Sequence, residues 1–296
     1  MNSENVKLAI APIAWTNDDM PELGAENTFE QCVSEMALAG FSGSEVGNKY
    51  PKDPAILRPK LESRGLVICN QWFSSLVTSE GTEKTIADFK KQLSFLKAMG
   101  ASCIGASEQG NSIQGKPVPI LKDKPTFTDE QWTIFLDACN EMGRIAKESG
   151  IKFVYHHHMG TAIQTAEEVD RFLEGTDPDL VYLLYDSGHF AFSGEDPVEM
   201  VERYIDRIGH VHLKDVRLNV IEDVKNKGMS FLEAVREGAF TVPGDGSIDF
   251  PSIFKVLEEH DYKGWMVVEA EQDPAKANPY DYAVMARKYI NEQTGL

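Results

Sequence analysis

The chain has 296 residues, 42% of them hydrophobic, with 47 acidic against 29 basic residues and a formal net charge of −18. That is apolar material for one large α/β barrel or two ordinary domains. So acidic a surface excludes nucleic acid and anionic membrane as partners, because both need a basic footprint. The four cysteines, Cys32, Cys69, Cys103 and Cys139, are far apart and form no CxxC pair, so buried free thiols are expected. The N-terminal stretch lacks a basic segment followed by a long apolar run, and no window holds 18 apolar residues. A cytoplasmic protein without a membrane span is the expectation.

Short apolar runs alternate with longer amphipathic stretches. Residues 6–13 are the first strand candidate. In 28–39, Phe29, Cys32, Val33, Met36 and Ala37 recur at the spacing of one helical face, and Gly40 ends the run. Strand 41–46 follows, then helix 53–64, strand 66–70, helix 84–99 and strand 101–106. The loop 107–127, rich in Gly, Pro and Lys, is too long for an idle connection and suits a lid or binding loop. Thr128-Asp-Glu-Gln131 fits a capping box at the start of helix 128–149. The fifth strand, 151–155, runs into the triplet His156-His157-His158. After helix 165–173 come strand 181–185, helix 196–207 with Pro197 in its first turn, and strand 208–213. An insertion, 217–246, holds a helix near 230–236; helix 248–260, strand 264–268 and helix 279–291 close the chain.

Eight strand–helix units imply a parallel sheet, and at this length a closed (β/α)8 barrel, with a doubly wound open sheet as the alternative. No composition break divides the chain, so one domain over residues 1–296 is expected. No GxGxxG follows the first strand and no GxxxxGK[ST] occurs, so nucleotide phosphate cradles find no support.

Catalytic side chains of such barrels sit at the C-terminal strand ends. His156, Asp186, His212 and Glu269 hold that place on strands five to eight. Two imidazoles and two carboxylates suit a divalent ion such as Mn²⁺, Co²⁺, Zn²⁺ or Fe²⁺. Six of the seven histidines lie between His156 and His212. Strand alternation turns His156 and His158 to one face and His157 to the other, which leaves His158 either to replace His156 as ligand or to contact substrate. Asp186 alone could be a helix cap, and Glu269 alone a buried ion pair; the coincidence of four corresponding positions favours a site. Trp15, Glu45, Asn70 and Trp72, at the first three strand ends, would supply an aromatic wall and hydroxyl-reading groups for a polyol.

Asp186-x-x-His189, His210-x-His212-x-Lys214-Asp215 and Glu269 after Gly264-Trp265 resemble the xylose-isomerase-like TIM barrels of sugar isomerases, epimerases and lyases. Within them the chain is similar to the myo-inosose-2 dehydratase branch, on 11–19 (APIAWTNDD), 43–47 (GSEVG), 155–161 (YHHHMGT), 185–189 (YDSGH) and 240–246 (FTVPGDG). The resemblance covers essentially the whole chain. It implies Glu, Asp, His and Glu as metal ligands; Asp186, His212 and Glu269 fit the last three, and His156 stands where the first Glu is absent. His189 matches a substrate-contacting histidine, and Arg217 lies near a substrate-binding arginine.

The implied activity is dehydration of 2-keto-myo-inositol, a cyclic polyol ketone, with Mn²⁺ or Co²⁺ foremost and glutathione among the cofactors the family admits. A bound ion would acidify the carbon next to the carbonyl. A base would take that proton and an acid would protonate the departing hydroxyl. Neutral imidazole suits both tasks, so His158 and His189 are the candidates, with Glu271 and Lys214 in reserve. The competing readings are a metal-dependent isomerase or 3-epimerase, an endonuclease IV-like repair enzyme, which the net charge disfavours, and a non-catalytic polyol-binding protein. Homo-oligomerisation is left open.

Overall fold

A computed structural model describes residues 1–296. The eight barrel strands are β1 (Val6–Ile10), β2 (Gly43–Glu45), β3 (Val67–Asn70, continued as Trp72–Ser75), β4 (Cys103–Glu108), β5 (Lys152–His156), β6 (Val181–Asp186), β7 (Ile208–Leu213) and β8 (Gly264–Val268). All their pairings are parallel. The third strand is bent at Gln71. Its first half pairs with β2 and its second with β4, so the two edges of the sheet are halves of one strand and the barrel closes. Asn70 staples the seam, its Oδ1 accepting the Gly105 N–H at 2.7 Å. A side chain at position 105 would not fit, since a Cβ there would lie 2.9 Å from Asn70 Nδ2.

The outer helices follow their signals. Thr128 and Thr165 form full capping boxes with Gln131 and Glu168, starting the helices Asp129–Glu148 and Ala166–Glu174. The main core lies between barrel and helices, and the aromatics Phe89, Phe135, Phe153, Tyr155 and Phe172 are fully buried there. Inside the barrel the apolar filling is thin: Ala9, Ala11, Cys69, Trp265 and Val267 on one side, Cys103, Val154 and Leu184 on the other. A third layer closes over the mouth, where Ile113 and Ile120 of the long loop pack with Met20, Leu23, Met159, Phe231 and Phe240.

Two stretches differ from expectation. The insertion holds two helices, Leu218–Lys227 and Phe231–Arg236, and its Phe240–Thr241 pairs with Asp215–Val216 just before it as a two-stranded antiparallel ribbon. A seven-residue helix, Ser187–Ser193, starts directly at the end of β6 with Asp186 as its cap. All four cysteines are free and buried. No helix is long and apolar enough to cross a membrane.

His157 points away from the barrel interior, as alternation requires. Its ring stacks on Phe190 at 3.8 Å, and neither ring nitrogen has a partner. Burial therefore holds it neutral, well below the imidazole value of 6.5. The unfolded chain takes up a proton there that the folded chain refuses, so stability falls as pH drops below about 6.5. Metal-free His157→Phe should lose less melting temperature than the parent between pH 7.5 and 5.0; an equal loss would remove His157 from the account.

Candidate active site

The cavity at the C-terminal mouth holds about 330 Å³, and its wall includes Glu45, Asn70, Trp72, His156, His158, His212, Glu269 and Glu271. That volume suits a six-membered ring polyol. Strand register explains the convergence. Asp186 and His212 are paired neighbours on β6 and β7, and Val267 pairs with His212, which places Glu269 just beyond the same level.

Ligand atoms of His156, Asp186 and His212 face one another there, and Glu269 joins them through His212. His156 Nε2 is 3.3 Å from Asp186 Oδ2; His212 Nδ1 is 3.4 Å from the same oxygen and 3.1 Å from Glu269 Oε2. His156 Nε2, Asp186 Oδ2 and His212 Nδ1 are buried without a hydrogen-bond partner, although they lie this close. Polar atoms buried this close together without hydrogen-bond geometry between them are placed to share a bound ion. Bonds of about 2.1 Å give polyhedron edges of about 3.0–3.4 Å, so the His156, Asp186 and His212 triad fits a divalent ion, and Glu269 beside it makes the candidate set a quartet. Asp186 combines the two roles open to it: Oδ1 accepts the His189 N–H at 2.9 Å and caps the helix, while Oδ2 turns inward.

The two imidazoles differ electrostatically. Burial lowers the His156 pKa to about 4, against the pull of Asp186, so it presents a lone pair. Burial also opposes charge on His212, but the Glu269 and Glu45 carboxylates outweigh it and raise its pKa well above the usual value. The same pairing acts on the acids. Glu269 is buried, yet His212 and Lys214 bring its pKa down to about 2.

Glu45 lies at the cavity wall, but its Oε1 is already engaged. It accepts from His212 Nε2 at 3.0 Å, His210 Nε2 at 3.2 Å and Asn70 Nδ2 at 2.7 Å. A carboxylate on Nε2 fixes the ring so that Nδ1 faces the quartet. Glu45→Gln should weaken metal binding by about 10–100-fold, read by metal titration; unchanged affinity would refute the orienting role.

Beside the quartet, His158 Nδ1 lies 3.0 Å from the Met159 carbonyl and so carries the proton, which leaves Nε2 free toward the cavity and 3.8 Å from Glu271 Oε1. Glu271 Oε2 is buried without a partner. His189 and Lys214 are fully buried behind the cavity wall, with Lys214 Nζ 3.0 Å from His189 Nε2. Burial, then the neighbouring His158 and Lys214, hold His189 neutral.

Two expected wall residues lie elsewhere. Trp15 is fully buried in the main core and its indole N–H donates to Glu35 Oε2 at 2.6 Å, so it supports the first loop. Arg217 is drawn to the ribbon, donating to the Gly238 carbonyl at 2.8 Å and pairing with Asp245 Oδ2 at 2.5 Å. Trp72 does form wall, edge-on to His156 and His158. Asp18, Asp19, Gln109 and Gln114 line the cavity and were not singled out from sequence. Gln114 Nε2 donates to Asp19 Oδ2 at 2.7 Å, tying the long loop across the mouth. Burial pushes the Asp18 carboxyl up to about 6. The signal was the Asn17-Asp18-Asp19 phrase, whose carboxylates no partner in sequence explained.

A family model described as the xylose isomerase-like TIM barrel matches residues 33–291. An inosose dehydratase of Clostridium tetani (strain Massachusetts / E88) is 58% identical over 296 residues, covering 100% of this chain and 99% of that protein. An inosose dehydratase of Bacillus cereus (strain AH820) is 57% identical over 298 residues, covering 100% of both. Among solved structures, the probable 3-DHS dehydratase AsbF of Bacillus anthracis superposes with a TM-score of 0.71 at 16% identity, covering 96% of this chain and 98% of that one, a likeness of fold.

Proposed function

The chain belongs to the xylose isomerase-like TIM barrels, and from that membership we propose that it is an inosose dehydratase. It removes water from 2-keto-myo-inositol to give trihydroxycyclohexane-1,2-dione, with a divalent metal at His156, Asp186, His212 and Glu269. The 58% identity along the full chain supports the substrate. The single structural observation that carries the chemistry is a proton-accepting His158 Nε2 facing the cavity next to the quartet.

A divalent ion held there, Mn²⁺ or Co²⁺ foremost, supplies Lewis acidity to the substrate carbonyl. The chain's own groups do the rest. His158 Nε2 takes the proton from the carbon next to the carbonyl. Glu271, 3.8 Å away, stabilises the imidazolium that results. The same nitrogen then returns the proton to the hydroxyl leaving the neighbouring carbon, and water departs. One imidazole can serve both steps because the proton is taken and given back on one face. Trp72 walls the ring, and the Asp19–Gln114 contact spans the mouth.

The decisive experiment incubates the metal-loaded chain with 2-keto-myo-inositol and follows ultraviolet absorbance and product mass. A dione one water lighter than the substrate is expected. A product of unchanged mass would replace this reading with the isomerase or epimerase one.

A further inference from the structure

We propose that the Lys214 ammonium is a resident cation that fills a second cation position in this site and so holds the protein to one divalent ion. The inference rests on the four-ligand reading above. Lys214 Nζ is fully buried and lies 2.6 Å from Glu269 Oε1, 3.0 Å from His189 Nε2, 3.3 Å from Glu271 Oε1 and 3.5 Å from Asp186 Oδ2. Three carboxylates and an imidazole around one buried point are the surroundings of a metal ion, not of a simple ion pair. Next to it, His158, His189 and Glu271 offer ligand atoms within 4.8 Å of one another, a second group able to hold an ion.

The chain is shaped to admit the lysine. Position 188 is glycine, and a Cβ there would lie 2.5 Å from Lys214 Cγ, so the stem reaches the carboxylates only because that side chain is missing. With the ammonium in place, Glu269 Oε1 is occupied while Oε2 faces the quartet. His158 and Glu271 are thereby kept from ligation, which leaves His158 free to move protons and Glu271 to face its imidazolium.

The test counts metal. Full-length chain loaded with excess Mn²⁺ and desalted should hold one ion by elemental mass spectrometry. Lys214→Ala, which opens the cage, should hold two, and Lys214→Arg, which keeps a cation, one. Two tightly held ions in the parent chain would overturn the proposal without any variant, as would a single ion in folded Lys214→Ala. A parent chain holding none would overturn the four-ligand reading together with this one. The count is independent of turnover, so a failure of the dehydratase reading would leave it standing.

Discussion

Asp186→Ala and His212→Ala should each yield a folded chain that retains no divalent ion after desalting and has lost at least about 10³-fold in kcat/KM, because Lewis acidity at the carbonyl contributes several kcal/mol to the barrier. The two side chains meet the other ligands from adjacent strands in fixed register, Asp186 opposite His212. The adjoining carboxylate oxygens are already engaged, Glu45 Oε1 by three donors and Glu269 Oε1 by Lys214. Asp186→Ala also removes a helix cap, a loss of about 1 kcal/mol; Asp186→Asn retains the capping oxygen and separates the two effects. Elemental analysis with a melting curve checks both variants. Stoichiometric metal in either would refute its assignment as ligand.

The second large effect is expected at His158. His158→Gln should reduce kcat by about 10²–10⁴-fold with metal content unchanged. The side chain faces the cavity, and its Nδ1 proton, held at the Met159 carbonyl, commits Nε2 to accepting. His189→Gln should cost less, because that ring lies behind the wall and its Nε2 is occupied by Lys214. Steady-state kinetics on metal-loaded variants decide the order; a greater kcat loss for His189→Gln would exchange their roles.

The strand ends were legible because barrel geometry turns sequence order into spatial convergence. Alternation alone separated His156 and His158 from His157, and the structure places His157 on the outer face against Phe190. Apolar periodicity with capping residues also located the outer helices to within a few residues. What the sequence could not carry was the choice of partner by long polar side chains. Trp15 and Arg217 stand near strand ends, but an indole N–H and a guanidinium bond wherever acceptors are exposed. Glu35 and the ribbon carbonyls supplied them. The ribbon itself rests on two residues per strand, too short to leave a pattern. Glu45 read as a substrate group because nothing local foretold His210 and His212, more than 160 positions away, as its partners. The bend at Gln71 lets one strand close the barrel on both sides; Asn70 before it reads as a strand end, and four residues beyond it are too few to show a second half.

The most direct test of the central claim is anomalous diffraction from crystals loaded with Mn²⁺. One peak is expected, within about 2.0–2.3 Å of His156 Nε2, Asp186 Oδ2, His212 Nδ1 and Glu269 Oε2. A peak ligated by His158 in place of His156, or one seated among Glu45, Cys69 and His210, would contradict it.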